Sequence, residues 1–146
     1  SYEIPAHVLE TGVAIRVVLF GTLLKNGGVG MSFGVELSLG GTIFISGNVM
    51  TGLGSTADRR LVYVEATIVA QSLTAQRATV WGLFGPASGS AVDVWNQFAP
   101  WCGFNQTLAL NGGTPLTLRA AITMSVADAS NTFTRHLAFT QRIRRV

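Results

Sequence analysis

Two histidines, one cysteine and seven carboxylates are the whole stock of this 146-residue chain for acid–base, nucleophilic or metal chemistry. The carboxylates Glu3, Glu10, Glu36, Asp58, Glu65, Asp93 and Asp128 are scattered singly. A hydrolase needs a nucleophile, a base within hydrogen-bond reach and a group that orients the base, and no nucleophile elbow announces such a set. His136 could meet a distant serine and aspartate in space, but its simpler reading is a surface imidazole on the last strand. Zinc would need clustered histidine or cysteine ligands, which His7, His136 and Cys102 do not provide. Asp58, alone in a Gly-rich stretch, is too little oxygen for calcium. The glycines from Gly52 to Ala57 fit a loose dinucleotide-binding pattern. That pattern requires a helix after it, and the β-branched run RRLVYVEATIVAQ follows instead. The chain is therefore expected to be no enzyme, with no catalytic, cofactor or metal-binding residues.

Side chains suited to binding are more concentrated. Six of the thirteen aromatic residues fall between Trp81 and Phe104, and around them Gly85 to Gly103 has no clear periodicity. Long loops in small β domains commonly carry function or pack on a partner. Trp95, Phe98 and Trp101 could cap one end of the core or anchor a protein interface, where large rings are favoured. Alternatively Trp95 or Trp101 could stack on a sugar ring whose hydroxyls bond to Asp93, Asn96 and Gln97. Four of the ten basic residues, Arg135, Arg142, Arg144 and Arg145, lie in the last twelve positions. They suit contact with an acidic neighbour, and Arg142, Arg144 and Arg145 join the candidate contact residues. No aromatic-interleaved basic groove accompanies them, so nucleic acid is not expected as a partner.

The elements that must position these groups read as strands. In Phe33 to Ser46, FGVELSLGGTIFIS, the residues Phe33, Val35, Leu37 and Leu39 alternate with small or polar ones. Gly40 and Gly41 then supply the two positive-φ positions of a tight hairpin turn. Val13 to Leu24 is a long strand, apolar on both faces apart from Arg16, which suits contact with the core on one side and a further layer on the other. Turn signals stand at Asn26-Gly27-Gly28, Thr74 to Arg77, Asn111-Gly112-Gly113 and Ala127 to Asn131, and Gly47 to Asp58 reads as a loop. Strands are predicted at Arg59 to Gln71, Ala78 to Phe84, Phe104 to Leu110, Leu116 to Val126 and Thr132 to Arg145. The last should show Thr134, His136, Thr140 and Arg142 outward. About eight strands and no helix predict one all-β domain over residues 1–146, an antiparallel β-sandwich of Greek-key or jelly-roll type.

Composition adds a constraint on assembly. Apolar residues make up 48% of the chain and charged residues 12%, about half the usual share, for a net charge of +3. No uninterrupted apolar run reaches the roughly 20 residues of a spanning helix, and membrane insertion is not expected. A homo-oligomer accounts for the shortage of charge, because part of each surface would be buried against copies of the chain.

The opening SYEIPAHVLETGVAIRVVLFGTL resembles the "sYtIPANtL..G..irI...Gt" start of a β-sandwich module of tailed-bacteriophage structural proteins. ELSLGGTIF is similar to that module's "lrLGGt.l" hairpin, RLVYVEATIVAQSLTAQRATVWGLF to its long paired strands, and PLTLRAAITMSVADASNTFTRHLAF to its closing strands. His7 stands where the module usually has Asn, and the aromatic stretch Trp95 to Trp101 is an addition. The resemblance implies a virion component, oligomeric and often trimeric, that contacts other virion proteins such as the major capsid protein. A capsid decoration or cement subunit is expected, or else a tail-fibre head that recognises a host-surface glycan through the tryptophan stretch.

Overall fold

The computed structural model describes residues 1–24, 31–53, 59–87, 99–125 and 130–144. They form nine strands: β1 (Tyr2–Ile4), β2 (Val13–Leu24), β3 (Met31–Leu39), β4 (Thr42–Leu53), β5 (Arg59–Ser72), β6 (Ala75–Ala87), β7 (Ala99–Leu108), β8 (Leu116–Met124) and β9 (Thr132–Arg144). A four-stranded sheet in the order β1-β8-β3-β4 faces a five-stranded sheet in the order β7-β6-β5-β2-β9, and every pairing is antiparallel. The fold is an all-β sandwich, with β8 set between β1 and β3, and β2 set between β5 and β9, by crossovers.

Alternation builds the core. Phe33, Val35, Leu37 and Leu39 of β3 meet Ile15, Leu19 and Leu23 of β2 and Val62, Val64 and Ile68 of β5 in one cluster of buried side chains. The β3–β4 hairpin turns on Gly40 and Gly41, whose φ angles of 54° and 81° are open to glycine at little cost. At the same end of the sandwich, also against Leu110, Gln76 is fully buried and spends both ends of its amide on backbone. Its Nε2 donates to the carbonyls of Leu73 and Leu110, and its Oε1 accepts from the Leu110 N–H. The β5–β6 turn is thereby tied to the segment that leaves β7.

Three strands run further than their sequence predicts. β4 continues through Gly47 to Leu53 because β3 offers it a ladder, with Gly34 opposite Asn48 and Phe33 opposite Met50. β6 takes in Ala75 to Arg77 and ends at Ala87, and β7 begins at Ala99. Gly85, Pro86 and Gly103 obscure the alternation locally, and cross-strand pairing overrides them.

A further difference lies in β9. Phe20 of β2 faces Leu137, and the next residue, Gly21, faces Arg135, so His136 is bulged out of the ladder. A bulge reverses which face later residues occupy. Thr134 and His136 lie with Thr22 and Phe20, as expected, but Thr140 and Arg142 fall opposite Val17 and Ile15, on the core-facing rows. The bulge needs Gly21, since a β-carbon there would stand 2.4 Å from the Phe133 ring and 2.6 Å from the Thr134 carbonyl oxygen. Gly21→Ala is expected to lower unfolding stability by about 1–3 kcal/mol, the usual cost of overpacking. Urea denaturation measures it, and an unchanged midpoint would contradict the close approach.

Candidate assembly surface

The outer face of the five-stranded sheet follows from the register of its strands. Residues paired across strands share a face, so the ladder sets Phe139, Val18, Glu65 and Trp81 in one row and Leu137, Phe20, Tyr63 and Leu83 in the next. Ile143, Ala14, Val69 and Arg77 form another row, with Gln141, Arg16, Thr67 and Thr79 between. Leu61 lies beyond, opposite Thr22. Among the described residues nine large apolar side chains are exposed, and six of them, Leu61, Val69, Trp81, Leu137, Phe139 and Ile143, stand on this one face. Leu137 is 48% and Trp81 40% accessible. Scattered exposed leucines need no explanation, but six large apolar side chains on one face, from three strands of one sheet, make a candidate interaction surface.

The centre of the face is polar and mostly paired within itself, while Arg16 Nε is buried without a hydrogen-bond partner among the described residues. Arg16 Nη2 donates to Glu65 Oε2 at 2.7 Å, and Tyr63 Oη donates to the same oxygen at 2.6 Å. The Tyr63 and Trp81 rings tilt against each other with centroids 5.1 Å apart. The hydrogen bond from Arg16 holds the Glu65 carboxyl below its ordinary range, helped by Tyr63 and Trp81 and opposed by burial. Burial and the bond to Glu65 push the Tyr63 hydroxyl up, and Glu65 raises Arg16. The result is a neutral cluster with apolar and aromatic side chains around it. Nearby, Thr22 Oγ1 lies 3.0 Å from His136 Nε2, and the imidazole tilts against Phe20. Among the described residues no three histidine, cysteine, aspartate or glutamate side chains come together as a metal site.

Three of the nine residues that the sequence nominates for binding, Trp101, Arg142 and Arg144, are among those described. Asp93, Trp95, Asn96, Gln97, Phe98 and Arg145 fall outside the described residues. Trp101 sits in β7 with its backbone opposite Gly82, and Arg144 ends β9 opposite Val13. Arg142 is exposed on β9. Phe20, Tyr63, Leu137 and Phe139 are contact candidates that sequence reasoning passed over. The apolar character of both faces of β2 was their signal, and the β9 bulge hid the rest by placing Leu137 and Phe139 beside that outer face. No protein-family model, curated protein or solved structure matches the chain.

The Glu65 cluster makes a pH prediction. Its carboxyl is more acidic in the folded than in the unfolded chain, so its contribution is complete above the unfolded value and is lost as pH falls through the folded one. Glu65→Gln is expected to lower stability at neutral pH and to flatten the decline on acidification. Urea midpoints at neutral and acid pH measure both, and equal acid sensitivity of the two proteins would contradict the assignment.

Proposed function

We propose that this protein is a non-enzymatic structural subunit of a bacteriophage virion, a homo-oligomer of trimeric type that decorates or cements the capsid. The observation that carries the reading is the exposed apolar face of the five-stranded sheet. Strands lie about 4.8 Å apart and same-face rows about 6.8 Å, so four strands and five rows span on the order of 650 Å². A specific protein interface needs about 800 Å² from each partner. The face is thus of the right size to be covered by another copy, and a low content of charge fits that burial. Contacts with the major capsid protein fall to the remaining surface. The mechanism is mechanical: apolar area removed from water holds neighbouring subunits together.

The virion assignment rests on the resemblance of the opening, the hairpin and the closing strands. One local feature supports it. His7 has a φ of 62°, a left-handed conformation that side chains other than glycine seldom adopt and that asparagine tolerates best. Asparagine is the residue that the phage module carries at that place.

Immunogold labelling of purified particles with antibody to this domain tests the reading. Label spread over the head is the expected result. Label confined to the tail tip would replace decoration by receptor binding, with a host-surface glycan as the target, and absence of label from every particle would overturn the virion assignment.

A further inference from the structure

The outer face of the five-stranded sheet is banded across its strands. Gln141, Arg16, Thr67 and Thr79 make one polar row that runs from β9 through β2 and β5 to β6. On one side of it lies the row of Ile143, Ala14 and Val69, which Arg77 closes at β6. On the other side lie two rows with large apolar side chains, Phe139, Val18 and Trp81 in the first and Leu137, Phe20 and Leu83 in the second. Glu65, in the Trp81 row, is bonded to Arg16 and Tyr63 of its own subunit.

The banding restricts how copies can cover the face. A threonine or glutamine covered by leucine loses its hydrogen bonds to water, so apolar rows must meet apolar rows and the polar row its like. A slip of one row along the strands, about 6.8 Å, breaks that match. In a ring of copies every row stays opposite itself when the axis runs along the strands. Rotation about such an axis brings the β6 side of one face against the β9 side of the next.

Side-chain length bears on the number of copies. Two sheets pack about 10 Å apart, which leaves about 5 Å to each face. The five-stranded sheet is about 24 Å wide, and three such sheets around one axis stand about 7 Å from it at their middle. The inner strands carry long side chains there, Arg16 and Phe20 on β2 and Tyr63 and Glu65 on β5. Trp81 on β6 lies against Tyr63, their ring centroids 5.1 Å apart, and so adds to the same central mass.

We propose that three copies join about a threefold axis parallel to the strands of the five-stranded sheet. Each buries Trp81 and Leu83 on the β6 side of its outer face against Leu137 and Phe139 on the β9 side of the next. In each of the three equivalent contacts Thr79 of one copy meets Gln141 of the next within the polar row, hydroxyl against amide. The Arg16–Glu65 pairs stand nearest the axis and are neutral in sum. The inference rests on the self-association proposed above and adds its symmetry and its contacts.

Disulfide trapping tests it on the full-length protein with Cys102, the one native cysteine, replaced by serine. Thr79 and Gln141 are both exposed, and three strand spacings, roughly 14 Å, keep them from bridging within one copy. Under mild oxidation the double variant Thr79→Cys, Gln141→Cys is expected to yield covalent dimers and trimers and nothing larger, and either single variant none. Thr79→Cys with Leu137→Cys, two rows out of register, is expected to yield none. Products limited to dimers would show a twofold contact and products beyond three copies an open chain, and either overturns the threefold ring. Free thiols in a double variant that sediments as an oligomer overturn it too, as does a cross-link in the Leu137 pair alone. A protein that sediments as a monomer before oxidation overturns both the ring and the self-association beneath it.

Discussion

β2 is apolar on both faces, and a domain of two layers encloses only one of them between its sheets. Its inner side chains, Ile15, Leu19 and Leu23, are enclosed by the opposing sheet. Its outer ones, the buried Val18 and the half-buried Phe20, lie between β5 and β9, one strand in from the edge of the five-stranded sheet. An antiparallel sheet with one solvated face ordinarily alternates apolar with polar residues. Here the alternation on β5, β6 and β9 is instead filled outward by Leu61, Tyr63, Trp81, Leu137 and Phe139. The face that results suits one side of a further layer, which is the basis of the proposed self-association.

The Arg16–Glu65–Tyr63 cluster is consistent with burial of that face. A lone charge there would oppose desolvation strongly, whereas a pair with additional hydrogen bonds to the carboxylate costs less to cover. Glu65 Oε2 accepts from both Arg16 and Tyr63, so the pair is oriented within one subunit. The cluster also pins the cross-strand register: Arg16 lies on β2, Tyr63 and Glu65 on β5, and Trp81 on β6. A slip of one residue between these strands would turn the cluster toward the core.

How much of this was legible in the sequence depended on whether the signal was local. Gly40 and Gly41 announce their hairpin because no other residue type accepts both φ angles so cheaply. The inward rows of β3 and the double apolar character of β2 follow from alternation alone. The ends of β4, β6 and β7 do not, because a strand extends as far as its neighbour offers a ladder, and that neighbour can be distant in sequence. The β9 bulge is a stronger case. Thr134 and Arg142 are both even-numbered and read as one face, yet the extra residue at His136 separates them. It also brings Leu137 and Phe139 beside Val18 and Phe20, and so assembles a surface that no contiguous run of residues displays. The tryptophan stretch drew attention for its density of rings, while the apolar face was distributed over four strands.

Sedimentation equilibrium tests the central claim most directly, on the wild-type protein and on a Trp81→Glu, Leu137→Glu double variant, with circular dichroism as the check on folding. The account predicts a wild-type mass that is a multiple of 15.4 kDa, trimeric by the proposal, and a folded variant of 15.4 kDa. A wild-type protein that sediments at 15.4 kDa throughout the micromolar range would contradict it. So would a folded variant that keeps the wild-type mass, since the outer face would then have no part in assembly.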